Sequence, residues 1–253
     1  MPRVDPAERL AFAKARRAEN QYGIQLRRLA RTVSDIIQGH PVTGMGGISS
    51  LVEALGKYAA LVQPWASTAA ARMLREVSLR DTAAWETHSR QMGYALRREI
   101  REAPTGAILA QLQAEQVRLI TSIPLEAAKQ VHEKALAGLS MGQRFDAIAK
   151  DLFAVGDITK ARATLIARTE VGRAASNLTQ ARAQYVGSDG YIWRTIGDVD
   201  VRPEHKKLEG KFIRWDSPPK TDKGLAPYHA GCGPNCRCYA EPVIPKRFED
   251  DAS

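Results

Sequence analysis

Apolar residues recur every three to four positions through the first two thirds of the chain, with charged residues between them. This is the spacing of one face of an amphipathic helix. Glycine and proline end most of these runs, so the pattern predicts a series of helices. Asp5 and Pro6 suit the start of the first helix, and Pro124 is expected to kink or split the fourth. The expected helix ranges are 5–38, 48–62, 64–102, 107–136, 143–153 and 158–185.

The pattern changes after Gly187, where short runs of aromatic and β-branched residues alternate with polar ones. Such runs predict strands. Three strands are expected, over residues 191–196, 211–215 and 236–244. Residues 216–235 are rich in proline and glycine and should form a long loop, of the kind that is functional or held in place by another group.

These elements predict an α+β protein with a large N-terminal helical region and a small C-terminal β-rich module. The expected domains are a helical, basic region over residues 1–157 and the module over residues 158–247, followed by a frayed tail over residues 248–253. Trp65 and Trp85 are expected to anchor the helical core.

The composition is that of a globular protein, since 44% of the 253 residues are hydrophobic and 26% are charged. The sequence has no run of 18 apolar residues, which argues against a transmembrane helix. Its N-terminus lacks the apolar segment of a secretory signal. We therefore expect the protein to be made and kept in a reducing cytoplasm, where the cysteines are thiols or metal-bound thiolates rather than disulfides.

The formal net charge is +9, and most of the excess lies in residues 1–101, with 16 Lys and Arg against 9 Asp and Glu. A basic surface attracts polyanions through counterion release. Nucleic acid or an acidic protein surface is therefore a candidate neighbour. A solvated basic helix face is the alternative, and composition alone does not separate the two.

All three cysteines lie within seven residues, as Cys232, Cys236 and Cys238, and His229 precedes them. Such clusters are typical of metal or redox sites. A Cys-x-Cys pair in an extended segment places both sulfurs on one side, and His205 lies in an earlier turn that is able to face them. Of these five candidates for four ligand positions, we favour His205 and the three cysteines, with His229 as a substitute. The alternative is a set of buried thiols and hydrogen-bonded histidines.

A structural zinc ion would stabilise this module, because a small β region with a long loop has little core. A catalytic zinc ion would need an open ligand position and a nearby carboxylate. Asp200 and Glu204 are near in sequence, but the chain has neither a His-Glu-x-x-His motif nor a deaminase signature. We therefore expect a structural role and no enzymatic activity.

Arg168 and Glu170 occupy one predicted helix, two positions apart. Residues at this spacing do not face each other on a helix. Their partners are expected elsewhere, in the β region, and a solvated helix surface is the alternative.

Several motifs in the last third of the chain resemble those of the phage Mu F-like family, the minor head or head morphogenesis proteins of tailed bacteriophages. The motifs are Ala-Arg-Thr-Glu (167–170), Trp-Arg-Thr (193–195), Asp-x-Asp-Val-Arg-Pro-Glu-His (198–205), Leu-Glu-Gly-Lys (208–211) and Asn-Cys-Arg-Cys (235–238). The resemblance covers about residues 160–245 and singles out Arg168, Thr169, Glu170, Trp193, Asp200, Arg202, Gly210, Asn235 and Arg237.

The resemblance implies a virion protein at the portal vertex or capsid interior that assists head assembly and DNA packaging, delivery or ejection. The implied partners are the portal protein, the major capsid protein and double-stranded phage DNA, bound without sequence specificity; no membrane is implied. In related chains the positions of Arg202 and His205 are often cysteines, and a histidine tends to precede the Asn-Cys-Arg-Cys run. That pattern supports zinc binding at His205, Cys236 and Cys238.

The second hypothesis is an enzyme: a metal-dependent nuclease or hydrolase, or a transferase, acting on nucleic acid or a host protein. It would use Arg168, Glu170 and His205. It requires a polar cleft between the helix and the cysteine loop, with a carboxylate close to the metal.

Overall fold

The computed structural model describes residues 16–89 and 93–248. The Asp5–Pro6 helix start and residues 249–253 of the predicted tail lie outside the described residues. Within them, no helix is long and apolar enough to cross a membrane. The described elements, in chain order, are α1 (Arg16–Gly39), α2 (Met45–Leu61), α3 (Gln63–His88), α4 (Gly93–Glu102), α5 (Gly106–Ser140), α6 (Phe145–Tyr185), β1 (Gly190–Arg194), α7 (Pro203–Lys206), β2 (Phe212–Arg214), β3 (Tyr239–Pro242) and a 3₁₀ turn (Lys246–Phe248).

Two predicted helix interruptions are absent. Helix α6 continues through Gly156, where a Cβ atom would lie 2.4 Å from the Oγ atom of Ser34. This glycine therefore permits close packing instead of ending a helix. Helix α5 likewise continues through Pro124, so the predicted split is wrong.

One predicted helix is divided. The expected helix over residues 64–102 is two helices in the structure, α3 and α4. Ser89 follows α3 and Gly93 begins α4, and both residue types have lower helix propensity than alanine or leucine.

The chain forms two compact units. One comprises residues 20–72 and 113–167, and its core contains buried helical side chains such as those of Leu26, Leu51 and Ile120. The other, which we call the sheet unit, comprises, among the described residues, 16–19, 73–89, 93–112 and 168–248. The domain boundary predicted at residue 157 stays a prediction.

The sheet has three antiparallel strands in the order β2-β1-β3. This confirms the predicted order of a large helical region followed by a small β module. The third strand is shorter than predicted because β1 ends at Arg194, opposite Tyr239. Cys236 and Cys238 therefore extend beyond the end of the ladder.

The core of the sheet unit joins helices to strands. Trp85, from α3, is fully buried, as predicted. It belongs to one apolar cluster with Tyr191 and Trp193 of β1 and with Cys236 and Cys238. The cysteines thus lie in the hydrophobic core of their unit.

Two expectations about burial are wrong. Trp65 is 39% exposed instead of buried, because a helical period alone does not show how deeply each face is covered. Phe248, assigned to the frayed tail, is buried in the apolar cluster of the sheet unit. Its aromatic ring gains more from burial than the polar residues that follow it.

Candidate metal centre

Three of the predicted ligands meet in the core of the sheet unit. His205 lies on α7, which begins with Pro203, a residue whose fixed φ suits the first helical position. Cys236 and Cys238 lie in the segment that leads into β3. Their spacing places both sulfurs on the same side, as the sequence predicts. All three side chains are buried.

The distances within this group suit a tetrahedral metal ion. The Nδ1 atom of His205 lies 3.7 Å from the Sγ atom of Cys236 and 3.5 Å from that of Cys238. All three atoms lie within 4.8 Å of one another. Tetrahedral zinc, with Zn–N bonds of about 2.0 Å and Zn–S bonds of about 2.3 Å, would separate N and S by roughly 3.6 Å. The donor types and their spacing therefore fit zinc.

The two cysteines are coupled by a hydrogen bond. The Cys238 thiol donates to Cys236, and this bond, helped by His205, outweighs burial and lowers the pKa of Cys236. The same hydrogen bond, together with burial, raises the pKa of Cys238. One thiolate is therefore favoured, and the thiolate is the form that binds a metal.

The other side of the His205 ring faces a polar group that the sequence reasoning missed. Its Nε2 atom lies 3.1 Å from the hydroxyl oxygen of Tyr228. That hydroxyl donates to the Oδ2 atom of Asp222 at 2.5 Å, and Arg202 pairs with the same oxygen at 3.0 Å. Burial, and then the hydrogen bond with Asp222, raise the pKa of Tyr228 to about 12, so the hydroxyl keeps its proton at neutral pH.

The sequence contains a signal for Asp222 and Tyr228, the two residues behind the His205 ring. Asp222 is the only carboxylate, and Tyr228 the only phenol, in residues 217–235. A loop of that length does not show which of its side chains turns inward, so the signal is visible only once the histidine has been placed.

A single peptide group connects the cysteine loop to α6. The carbonyl oxygen of Pro234 accepts from Arg202 at 2.6 Å, and the N–H of Asn235, in the same peptide bond, donates to Thr169 at 3.1 Å. Asn235 has a φ of 56°, a left-handed conformation in which asparagine is enriched. Thr169, Arg202 and Asn235, from three separate motifs, thus form one contact set, which we call the motif clamp.

Arg237 lies between the two cysteines and faces the opposite way. Its guanidinium group pairs with Asp198 at 2.6 Å and with Asp200 at 3.3 Å. These ion pairs attach the loop after β1 to the segment before β3. Arg237 and Asp200 therefore hold the backbone that carries the sulfurs.

Trp193 and Gly210 shape the turn that carries His205. The ring of Trp193 meets the His205 ring edge-on, with centroids 5.4 Å apart. The Trp193 carbonyl accepts from the N–H of Gly210 at 2.9 Å, and Gly210 has a φ of 75°, which favours glycine. Glu209 accepts from the N–H and the hydroxyl of Thr195 at 2.6 and 2.7 Å. These hydrogen bonds join the end of β1 to the residues that follow α7, so they fix the position of the turn that contains His205.

Arg168 and Glu170 form ion pairs with helical residues. Arg168 lies 3.7 Å from Glu19, and the buried Glu170 lies 3.0 Å from Arg173, one turn further along α6. The sequence led us to expect partners in the β region. Thr169, between them, bonds to the cysteine loop.

Cys232 and His229 lie outside the group of three. The Cys232 thiol lies beside Ser176 of α6, and burial raises its pKa. His229 is hydrogen bonded at both ring nitrogens, to the Tyr191 hydroxyl at 3.2 Å and the Trp215 carbonyl at 3.0 Å, and burial lowers its pKa. In the described part of the chain, neither residue joins a group of three ligand atoms. Their assignment as ligands stays a prediction.

Comparison with known families places this arrangement in a segment that matches a family model. Residues 129–241 match the model of the family described as Phage Mu protein F like protein. The match includes the motif clamp and the three grouped side chains. It confirms the resemblance found from the motifs, and it begins earlier than they do, within α5.

Two relatives match about half of the chain. An uncharacterized protein of Haemophilus influenzae is 31% identical over 134 residues, which are 53% of this chain and 29% of that protein. Minor head protein GP7 of Bacillus phage SPP1 is 30% identical over 145 residues, which are 53% of this chain and 44% of GP7. The alignments thus span less than half the length of either relative. No solved structure matches the chain.

Proposed function

Since residues 129–241 of this chain match the model of the phage Mu protein F like family, we propose that the chain is a minor head protein of a tailed bacteriophage. It associates with the portal vertex or the capsid interior and assists head assembly and DNA packaging or delivery. The family match carries this proposal. A relative whose name is Minor head protein GP7 supports it.

The metal has a structural role in this proposal. His205, Cys236 and Cys238 hold zinc, which supplies folding free energy to a module of three short strands. Each of the three residues is at most 5% exposed. Catalytic zinc sites leave a fourth ligand position for water or substrate. Three protein donors also leave such a position here, but the burial of all three keeps it from solvent. The arrangement therefore favours a rigid binding module over an active site.

The two predicted domains have separate roles in this proposal, since one contacts the partners and the other is a rigid module. The helical residues 1–157 dock on the portal or capsid, and residues 158–247 form the metal-clipped module. DNA lies near the basic helical surface, where α1 exposes Arg28 and Arg31, three positions apart and on one face. Such cations bind phosphates regardless of base sequence.

The DNA contact is tested by the salt dependence of binding. We expect affinity for a duplex of mixed sequence to fall linearly with salt on a logarithmic scale, with a slope of about −0.9 per phosphate contact. The double variant Arg28→Gln/Arg31→Gln should reduce the slope by about 2. Lys57→Gln, which removes a cation already paired with Glu53 at 2.7 Å, is the control and should change it little. A slope near zero for the unmodified chain would contradict the proposed contact with DNA.

The head assignment is tested in assembled particles. We expect the full chain to sediment with procapsids that contain the portal, and to be found by mass spectrometry in purified virions at a low copy number. Procapsids assembled without the portal separate the two docking sites, because a portal-bound protein would be lost from them. Absence of the chain from both procapsids and virions would contradict the proposal.

A further inference from the structure

The two sides of the His205 ring face different chemical groups. The cysteine sulfurs lie beside Nδ1, and the hydroxyl of Tyr228 lies beside Nε2. We propose that Tyr228, held by Asp222, fixes His205 in the tautomer with its proton on Nε2, so that the Nδ1 lone pair faces the metal position. This inference rests on the metal site of the proposed function and identifies the residues that set its affinity.

The assignment follows from the number of protons available. Tyr228 has one hydroxyl proton, which it donates to Asp222 across 2.5 Å. Asp222 also pairs with Arg202 at 3.0 Å, so it is a carboxylate with no proton to give. The Tyr228 oxygen is therefore an acceptor toward Nε2 at 3.1 Å, and the N–H must come from His205. A neutral imidazole with its proton on Nε2 has its lone pair on Nδ1.

With zinc bound, the opposite tautomer is disfavoured on both sides of the ring. Its Nε2 lone pair would face an oxygen whose proton is already donated, and its Nδ1 proton would occupy the metal position. Metal-binding histidines commonly donate their second N–H to an oxygen acceptor, and losing that acceptor lowers metal affinity by about 10- to 100-fold. Tyr228 is therefore a positioning residue and not a ligand.

Local packing holds Tyr228 in this place. A Cβ atom at Gly233 would come within 2.5 Å of its ring, so the glycine leaves room for the ring to lie across the cysteine loop. Arg202 then connects the two contact sets, because it binds Asp222 through Nη1 and the Pro234 carbonyl, in the motif clamp, through Nη2. The same guanidinium group thus orients the carboxylate behind His205 and the loop that carries the cysteines.

The test compares two Tyr→Phe variants that each lose one oxygen. Tyr228→Phe removes the acceptor of His205, whereas Tyr191→Phe removes a hydroxyl that contacts His229 and the Ala230 N–H. The ¹⁵N chemical shifts of the His205 ring in the Zn²⁺-loaded protein report which nitrogen carries the proton and whether that N–H has an acceptor. Competition with a chromogenic chelator reports the affinity for Zn²⁺.

We expect a protonated Nε2 in the Zn²⁺-loaded unmodified chain and in Tyr191→Phe, and an altered Nε2–H chemical shift in Tyr228→Phe, where the acceptor is lost. Zn²⁺ affinity should fall by about 10- to 100-fold in Tyr228→Phe and stay unchanged in Tyr191→Phe. A protonated Nδ1 in the Zn²⁺-loaded unmodified chain would overturn the proposal, as would an unaltered Nε2–H shift or unaltered affinity in Tyr228→Phe. An unmodified chain that binds no Zn²⁺ would contradict the metal site of the proposed function, whereas equal Zn²⁺ affinity in both variants would contradict only the role of Tyr228.

Discussion

Replacing Cys236 by serine should release the metal and lower the free energy of unfolding by about 3–4 kcal/mol, the contribution of a ligand present at 100 to 1,000 times its dissociation constant. Cys236 is 3% exposed and is the thiol whose pKa is lowered by its neighbours. A serine hydroxyl at this position is a poor zinc ligand. Metal content and urea-induced unfolding of the full chain measure the two effects.

Cys232→Ser is the matched control, because it makes the same atomic change in the same loop. Cys232 lies outside the group of three, so this variant should keep its metal. The comparison also decides the ligand set left open by the sequence. Metal loss in Cys232→Ser would make Cys232 the fourth ligand, and metal retention in Cys236→Ser would contradict the site described here.

Replacing Asp81 by alanine should destabilise the chain by about 3–5 kcal/mol, because it leaves a buried guanidinium group without its counter-charge. Asp81 pairs with Arg182 at 2.9 Å and accepts from the Thr179 hydroxyl at 2.7 Å. These contacts join α3 to the part of α6 that leads into β1. Both side chains of the ion pair are less than one tenth exposed, so solvent screens the pair little.

The control for Asp81→Ala is Glu86→Ala, in the same helix. Glu86 pairs with Arg101 at 3.6 Å, and both side chains are largely exposed, so its loss should cost less than about 1 kcal/mol. Urea unfolding monitored by tryptophan fluorescence compares the two variants. Equal stabilities would show that the buried ion pair contributes nothing specific.

The pH dependence of stability provides an independent check on Asp81. Burial raises the pKa of Asp81 from its usual 3.8 to about 6, although Arg182 opposes the shift. The folded state then holds a proton that the unfolded state has released, so this group's contribution to stability rises as pH falls from about 6 to about 4. In Asp81→Ala that contribution should disappear from the stability profile.

The pairing of Cys236 and Cys238 was accessible from the sequence because it depends on local geometry. Two cysteines two residues apart in an extended segment must face the same way, whatever the rest of the fold does. His205 was assigned to the same site because it lies in an earlier turn that is able to face the two cysteines. The places of Cys232 and His229 were not accessible, since a loop rich in glycine and proline sets no periodicity that shows which side chain points inward.

The wrong helix boundaries have a different cause. Glycine is a residue type that often ends a helix. Gly156 instead lies against Ser34, a residue 122 positions earlier in the chain (156 − 34). Tertiary packing of this kind overrides local propensity and leaves no mark in the neighbouring sequence. The motif clamp could not be predicted from the sequence for the same reason. It joins Thr169 to Asn235, which are 66 residues apart.

The metal content of the purified full chain tests the central claim most directly. Protein prepared without chelators or added metal should contain one zinc ion per chain by elemental analysis, and removal of that ion should lower its melting temperature sharply. A chain that carries no metal and melts at the same temperature with and without a chelator would contradict the account. His205, Cys236 and Cys238 would then be a hydrogen-bonded cluster in an apolar core.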